Sequence, residues 1–205
     1  LFVELNRDVM PLWQQAIKRF MDISLSIIAI LVLLPLYLIA AVLVKFSSPG
    51  PIFFLQERIG LNNKPFQIIK FRTMYVNSEA NGPQLSSSND SRITPVGRFM
   101  RKTRLDEFPQ FINVILGQMS LVGPRPERQF YIDQIVQHEP QYVLLNRVRP
   151  GITSWGQVKY GYAENVEQML DRMKYDLLYI NNRSIALDLK IMFYTLAIVI
   201  KAKGK

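Results

Sequence analysis

Apolar and polar positions divide this chain into one long uncharged run and a larger part in which short apolar runs alternate with polar punctuation. Residues 23–44, ISLSIIAILVLLPLYLIAAVLV, carry no charge. As a single helix they extend about 33 Å at 1.5 Å per residue, enough for the hydrocarbon core of a bilayer. Pro35 falls near the middle of the run. Proline removes a backbone donor and crowds the carbonyl four residues earlier, which predicts a kink or break. The two halves, residues 23–34 and 36–44, are each too short to cross alone. A kinked spanning helix and a re-entrant hairpin both fit. The flanking charges do not choose, because Lys18 and Arg19 precede the run while Lys45, Arg58 and Lys64 follow it. A signal peptide fits less well, since the run is too long and lacks a small-x-small cleavage site.

Beyond the run, Ser48-Pro49-Gly50-Pro51 reads as a tight turn. Residues 52–55 and 66–71 are short aromatic-rich runs around Gly60-Leu61-Asn62-Asn63, which predicts a β-hairpin. Residues 77–91 are polar, with Gly82-Pro83 and a serine run, and predict a surface loop over a site. A helix is expected from Thr94 to Met100. Another is expected from Phe108 to Leu116, with Pro109 in its first turn and Gly117 past its end. Residues 127–136 and 165–179 are further helical segments. Residues 184–205 begin amphipathic, turn almost wholly apolar over 191–200, and end with Lys201, Lys203 and Lys205. A helix lying in a membrane interface and an ordinary core helix both fit that pattern. No internal repeat is visible.

Composition narrows the chemistry. The 205 residues carry 25 Lys and Arg against 16 Asp and Glu, a net charge of +9, so anionic partners such as phosphates, acidic lipid or nucleic acid are favoured. A 49% apolar content with 20% charged residues argues against disorder. The absence of cysteine excludes disulfides, zinc ribbons, iron–sulfur clusters and thiol nucleophiles. The lone His138, in Gln-His-Glu-Pro, reads as a surface residue without a role, and the eight methionines read as core filler. Trp155 and Tyr160 to Tyr162 could stack a base or sugar, but packing is their default reading. Catalysis would therefore rest on Asp, Glu, Lys, Arg and a bound cation.

The adjacent carboxylates of Asp106 and Glu107 fall, on these boundaries, at a helix N-terminus. There, free N–H groups and the helix dipole favour phosphate and keep a carboxylate ionised. Such a pair can hold Mg2+ together with waters and substrate phosphates. Alternatively one member attacks while the other tunes charge, or both merely cap a helix. The context of Lys70, Arg72, Arg98, Arg101, Arg104 and Arg125 favours a diphosphate ligand over a cap, because guanidinium forks match phosphate oxygens. Gly123-Pro124-Arg125-Pro126 is the most specific of these features, two prolines fixing a loop around one arginine. Arg149-Pro150-Gly151 repeats the device.

Read in order, Lys18-Arg19 with Asp22, the run broken at Pro35, Gln56-Glu57-Arg58, Lys70-Phe71-Arg72-Thr73-Met74, Leu105-Asp106-Glu107-Phe108-Pro109-Gln110, Met119 through Pro126, and Arg149 through Thr153 form a series. The series resembles the bacterial sugar transferase family, the monotopic polyprenyl-phosphate phosphoglycosyl transferases, from about Lys18 to the C-terminus. The resemblance implies a helix-dominated α+β fold: a re-entrant helix-break-helix hairpin, a small cytoplasmic catalytic domain and interfacial amphipathic helices. It divides the chain into an N-terminal flank (1–17), the membrane hairpin (18–47) and the catalytic domain (48–205). It implies Asp106 as nucleophile on the sugar-linked phosphorus of a UDP-sugar, with UMP leaving, and polyprenyl (undecaprenyl) phosphate as acceptor. Glu107 would assist, Asp106 would contact a required Mg2+, and Arg101 and Arg125 match phosphate-binding positions. Lys70, Arg72, Pro124 and Arg149 match motif positions assigned to substrate binding. The implied location is the cytoplasmic face of the bacterial inner membrane, with a homodimer allowed and nucleic acid not a partner.

Three departures from the family pattern stand out. Leu34 replaces the serine often found before the helix-breaking proline, which bears on the geometry of the break. Gln118 stands where an aspartate is common. Ser154 through Tyr162 differs from the frequent version, so sugar specificity does not transfer. The Leu1 start suggests truncation from a longer member with an N-terminal membrane domain. The competing reading is a membrane-anchored, non-catalytic binder of polyanions, which explains the charge and the apolar run but not the acidic pair beside a proline-fixed arginine.

Overall fold

A computed structural model describes residues 9–79, 82–86 and 90–200. Helix α1 (Leu12–Ser47) is followed by the hairpin β1 (Phe53–Ile59) and β2 (Pro65–Phe71). Then come α2 (Pro95–Thr103), α3 (Gln110–Ile115), β3 (Ser120–Val122), α4 (Gln129–His138), β4 (Gly151–Thr153), α5 (Trp155–Lys159), α6 (Val166–Asn181) and α7 (Ile185–Ile200). The result is a helix-dominated α+β architecture with two two-stranded sheets, one antiparallel and one parallel.

Helix α1 is 36 residues long and carries Pro35 inside it. Helical backbone therefore continues through the proline, which fits the kink expected between residues 23–34 and 36–44 rather than a complete break. One proline deletes one hydrogen bond of the ladder, and the bonds on either side keep the turns together. The helix is long and apolar enough to cross a membrane, and only 11% of its most apolar 18-residue window is buried. Leu31, Val32 and Leu38 are each more than 60% exposed, unlike the core helix of a soluble domain.

The parts of α1 on either side of this exposed stretch are tied down. Asp22 accepts from the Leu121 N–H and from Ser120 Oγ. Lys18 Nζ reaches the Val122 carbonyl and Asp188, and Arg19 reaches the carbonyls of Val114 and Ile115. Farther along, Tyr37 Oη donates to the Phe108 carbonyl, and Ala40 and Val44 pack with Phe71 and Met100. Arg72 closes the C-terminal end by donating to the carbonyls of Val44, Ser48 and Pro49. These carbonyls include ones that a helix leaves unpaired at its terminus.

The hairpin forms as the alternation predicts, with Phe53 opposite Phe71 and Ile59 opposite Pro65. Its first strand runs to Ile59, beyond the expected 52–55, because Gln56 and Arg58 point to a polar site rather than to a core. Helix α2 starts at the expected cap: Thr94 Oγ1 accepts from the Gly97 N–H, with Pro95 in the first turn. The parallel pair β3 and β4, three residues each, has no readable sequence signal. It exists because Gly123 and Gly151 let two backbones meet. A Cβ on Gly151 would lie 2.2 Å from the Gly123 nitrogen, and one on Gly123 would lie 2.3 Å from the Arg149 carbonyl.

Two larger apolar clusters complete the core. Tyr131, Ile132, Ile135, Tyr142, Met169 and Met173 fasten α4 to α6, while Ile68, Val114, Met119, Val122, Tyr179 and Ile191 join β2, α3, β3, α6 and α7. Each fully buried side chain of this size contributes about 1.5–3 kcal/mol. Five of the eight methionines are at most 3% exposed, as core filler should be. Helix α7 combines both of its expected characters: Asp188 and Ile191 are buried, while Phe193, Tyr194 and Leu196 are exposed. Lys201, Lys203 and Lys205 lie outside the described residues, as does the start of the N-terminal flank.

Candidate active site

The acidic pair does not sit on an α-helix N-terminus. Asp106 and Glu107 occupy a 3₁₀ turn, Leu105–Glu107, and α3 begins only at Gln110. Pro109 caps α3 but does not extend it back to Phe108, so the charge balance at the pair comes from side chains rather than from a helix dipole. The turn is set by Arg104, which ends α2 in the left-handed conformation at φ 57°. A residue with a Cβ pays roughly 1–2 kcal/mol for that geometry. It reverses the chain so that the Arg104 guanidinium meets the carboxylate of Glu107 at 3.3 Å.

Three cations converge on Glu107. Arg125 Nη2 lies 3.1 Å from Oε1, Lys70 Nζ lies 3.4 Å from Oε1, and Arg104 Nη1 lies 3.3 Å from Oε2. Burial favours the neutral acid, but Arg125, Lys70 and Arg104 together outweigh it and hold Glu107 well below the usual carboxylate range. Asp106 is 9% exposed and takes no hydrogen bond or ion pair from the described residues. Burial, reinforced by the charge on Glu107, raises it to about 6, against the pull of Lys70, Arg101 and Arg104. Lys70 is lowered to about 8, chiefly by burial. Two adjacent carboxylates thus have opposite environments, one neutralised and one free.

Both carboxylates line a cavity of about 490 Å³, together with Lys70, Arg101, Arg104 and Arg125. Arg101 is aimed by Nε on Thr73 Oγ1 at 2.9 Å and by Nη1 on Ser86 Oγ. Helix α2 can come this close to Thr73 only because residue 97 is glycine, where a Cβ would lie 2.1 Å from the Thr73 carbonyl oxygen. The loop expected over 77–91 forms part of the wall through Asn77, Ser78, Gln84, Leu85 and Ser86, while Ser87 and Ser88 lie outside the described residues.

The other expected substrate residues are placed differently. Arg72 borders the cavity, but its guanidinium is spent on the carbonyls ending α1. Pro124 is not on the cavity wall; its carbonyl accepts from the Gly151 N–H. Arg149 donates to the Gly117 carbonyl at 3.0 Å and does not border the cavity. The Gly-Pro-Arg-Pro and Arg-Pro-Gly segments lie beside each other at the parallel pair, and of their two arginines Arg125 borders the cavity while Arg149 does not.

Several contributors escape sequence reasoning. Tyr162, read there as packing, lines the cavity, as do Arg58, Arg128 and Tyr131. The loop bearing Arg125 is held from behind by α6. Arg172 Nη2 meets Glu127 Oε1 at 2.6 Å, and Glu127 Oε2 also meets Arg58 at 3.0 Å. One turn later the Asp176 carboxylate, 2% exposed, accepts from the Gly156 N–H at 2.8 Å and from the backbone of Arg125. The spacing of Arg172 and Asp176 is that of one helix face, but the sequence contains no sign that this face is buried. Among the described residues, no three His, Cys, Asp or Glu side chains group as a metal site.

Comparison with known proteins bears on this arrangement. The model of the family described as bacterial sugar transferase matches residues 13–202. The chain is 46% identical over 188 residues to the UDP-N-acetylgalactosamine-undecaprenyl-phosphate N-acetylgalactosaminephosphotransferase of Aeromonas hydrophila, covering 92% of this chain and 44% of that protein. It is 42% identical over 181 residues to the UDP-glucose:undecaprenyl-phosphate glucose-1-phosphate transferase of Escherichia coli K12, covering 87% and 39%. The exopolysaccharide production protein PSS of Rhizobium leguminosarum bv. phaseoli is 38% identical over 188 residues, covering 87% of this chain and 92% of that protein. The chain thus spans about two-fifths of the length of the first two relatives. With the family model covering nearly the whole sequence, this chain belongs to the bacterial sugar transferase family.

Proposed function

We propose that this chain transfers a sugar 1-phosphate from a UDP-sugar to polyprenyl phosphate of the undecaprenyl type, opening the assembly of a polysaccharide or glycoconjugate. One observation carries the reading: a buried, unpartnered carboxylate, Asp106, beside a carboxylate that gathers three cations, in a cavity lined by Lys70, Arg101, Arg104 and Arg125. An Asp106 oxygen attacks the sugar-linked phosphorus, the bond to the bridging oxygen breaks, and UMP departs with the electron pair. A phosphate oxygen of the acceptor then attacks the same phosphorus, and the Asp106 carboxylate leaves. One phosphoanhydride is exchanged for another through an acyl phosphate, so catalysis is a matter of positioning and charge neutralisation. Lys70, Arg101, Arg104 and Arg125 supply that charge, and Glu107 holds three of the four in place.

Mg2+ fits this site by the chemistry of its donors. It typically takes one or two carboxylates and completes its shell with water and substrate phosphate, and Asp106 offers an uncommitted carboxylate at the cavity wall. When bound it would supply neutralisation of the diphosphate.

The membrane reading is a re-entrant α1 on the cytoplasmic face. Arg19 and Tyr37 support a bend between them. In an unbent helix they stand about 27 Å apart, yet they reach the carbonyls of Val114 and Phe108, six residues apart across α3 and its lead-in turn. A bend in this stretch, for which Pro35 is the natural place, would bring both anchors to the same short helix. Binding of polyanions without catalysis accounts for the net charge but leaves Asp106 unexplained.

The test is intact-protein mass after incubation with Mg2+ and a panel of UDP-sugars, without acceptor, beside Asp106→Asn. The expected result is a gain of one sugar phosphate in the parent and none in the variant. No adduct from any donor, together with no UMP release when polyprenyl phosphate is added, refutes the reading.

A further inference from the structure

The cavity has two unlike arms, and the register of the hairpin sets their direction. Phe54 pairs with Lys70, Gln56 with Ile68 and Arg58 with Phe66. Side chains alternate along a strand, so Phe54, Gln56, Arg58 and Lys70 project from one face. This floor runs about 13 Å from Phe54 to Arg58. Lys70 is the direct cross-strand neighbour of Phe54 and lies 3.4 Å from Glu107, so the reacting centre borders the Phe54 end.

The wall at this end includes the apolar side chains of Pro51 and Val76, beside Arg72, whose guanidinium is occupied by the carbonyls ending α1. Phe54 and Val76 are 40% and 53% exposed, an unusual state for large apolar residues in a concave site. This end adjoins the C-terminus of α1. Val76 closes on Gly50, in the turn leaving α1, where a Cβ would meet Val76 Cγ2 at 2.7 Å. The opposite arm is polar. Arg58 is paired with Glu127 and Gln56, Arg128 with Glu79 at 2.8 Å, and Tyr131 and Tyr162 complete the wall.

We infer that the apolar arm at Pro51, Phe54 and Val76 receives the first isoprene units of the acceptor, while the nucleotide sugar occupies the polar arm toward Arg58, Arg128 and Tyr131. The inference rests on the function proposed above. An isoprenoid entering from the apolar helix α1 meets Val76 and Phe54 first and delivers its phosphate to Lys70 and Asp106. The reverse assignment drags hydrocarbon across Arg58 and Arg128 and desolvates their charges without return. The donor, hydroxylated and charged along its length, matches the polar arm. Affinity for the acceptor's apolar end therefore resides at Phe54 and Val76, and affinity for the donor does not.

The experiment separates the two half-reactions in protein embedded in lipid nanodiscs. Adduct formation with a UDP-sugar is followed by mass, and the isolated adduct is then discharged with increasing undecaprenyl phosphate. Phe54→Ser and Val76→Ser are expected to raise the acceptor concentration for half-maximal discharge about tenfold, with the concentration dependence on donor little moved. Phe54→Leu restores the acceptor response. Arg128→Met shifts the donor dependence instead. The assignment is overturned if Phe54→Ser leaves discharge as in the parent, or if it weakens donor use as much as acceptor use. Absence of any adduct in the parent strikes at the proposed function itself, which keeps the two failures apart.

Discussion

Arg125 Nη2 rests 3.1 Å from Glu107 Oε1, and the same oxygen is 3.4 Å from Lys70 Nζ. A loop after β3 and a residue of β2 thereby share one acceptor, while the neighbouring Asp106 is left without a partner. The pair works by asymmetry. Glu107 spends its charge on assembling cations, and Asp106 keeps its own for the substrate.

The donor half-reaction should have a bell-shaped pH profile. Asp106 must be ionised to attack; burial with the Glu107 charge raises it to about 6 in the metal-free site, and bound Mg2+ would pull it back down, so the acid limb lies below that value. Lys70 must be protonated to hold phosphate, and burial lowers it to about 8, so the rate falls above that. Rates of adduct formation between pH 5 and 9.5 check both limbs. Lys70→Arg should remove the alkaline limb while keeping the acid one.

Asp106→Asn should be more stable than the parent at pH 7.5 in the presence of EDTA. The folded-state pKa is raised, so above about 6 the native protein holds a charge that the unfolded chain hydrates better. The difference is on the order of 1–3 kcal/mol. It should shrink as pH falls through 6 and be mostly gone near 4, vanishing only below about 3, where the carboxyl is protonated in both states. Thermal midpoints of the two proteins across pH 4–8 measure this; an advantage independent of pH would contradict it.

Gly97→Ala should impair both folding and donor binding. The new methyl meets the Thr73 carbonyl at 2.1 Å, which is backbone and cannot swing away. Helix α2 must shift, carrying Arg101 off Thr73 Oγ1. A stability loss of about 1–3 kcal/mol is expected, with a raised KM for the UDP-sugar in the protein that remains folded.

Arg172→Ala should cost about 1.5–3 kcal/mol, because it breaks a buried charged hydrogen bond to Glu127, which keeps Arg58 as its other partner. Denaturant titration reads the loss. The companion variant Glu127→Gln/Arg172→Met should lose more, because it also takes from Arg58 its carboxylate partner.

The linear pattern of residues was a good guide wherever the determining forces are local. The hairpin, the cap at Thr94, the apolar run and the polar 77–91 stretch follow from alternation, capping and turn chemistry within a few neighbours. The start of α3 differs from the expected Phe108 by two residues, because Phe108 and Pro109 keep helical dihedrals but belong to the lead-in from the 3₁₀ turn.

Which charged residues meet is another matter. Lys70, Arg104 and Arg125 are equally basic in sequence to Arg72 and Arg149, yet the first three share Glu107 while Arg72 closes α1 and Arg149 faces Gly117. A guanidinium binds carboxylates, phosphates and backbone carbonyls alike, so its role depends on what long-range packing brings within about 3 Å. The sequence by itself determined the apolar helix, the acidic dyad, the supply of cations and the glycines that permit close backbones. Tertiary structure alone decided that Glu107 is neutralised and Asp106 is free, and that Arg172 and Asp176 of α6 stand behind the Arg125 loop. Those outcomes depend on burial and on contacts between residues many positions apart, and neither quantity is written in local periodicity.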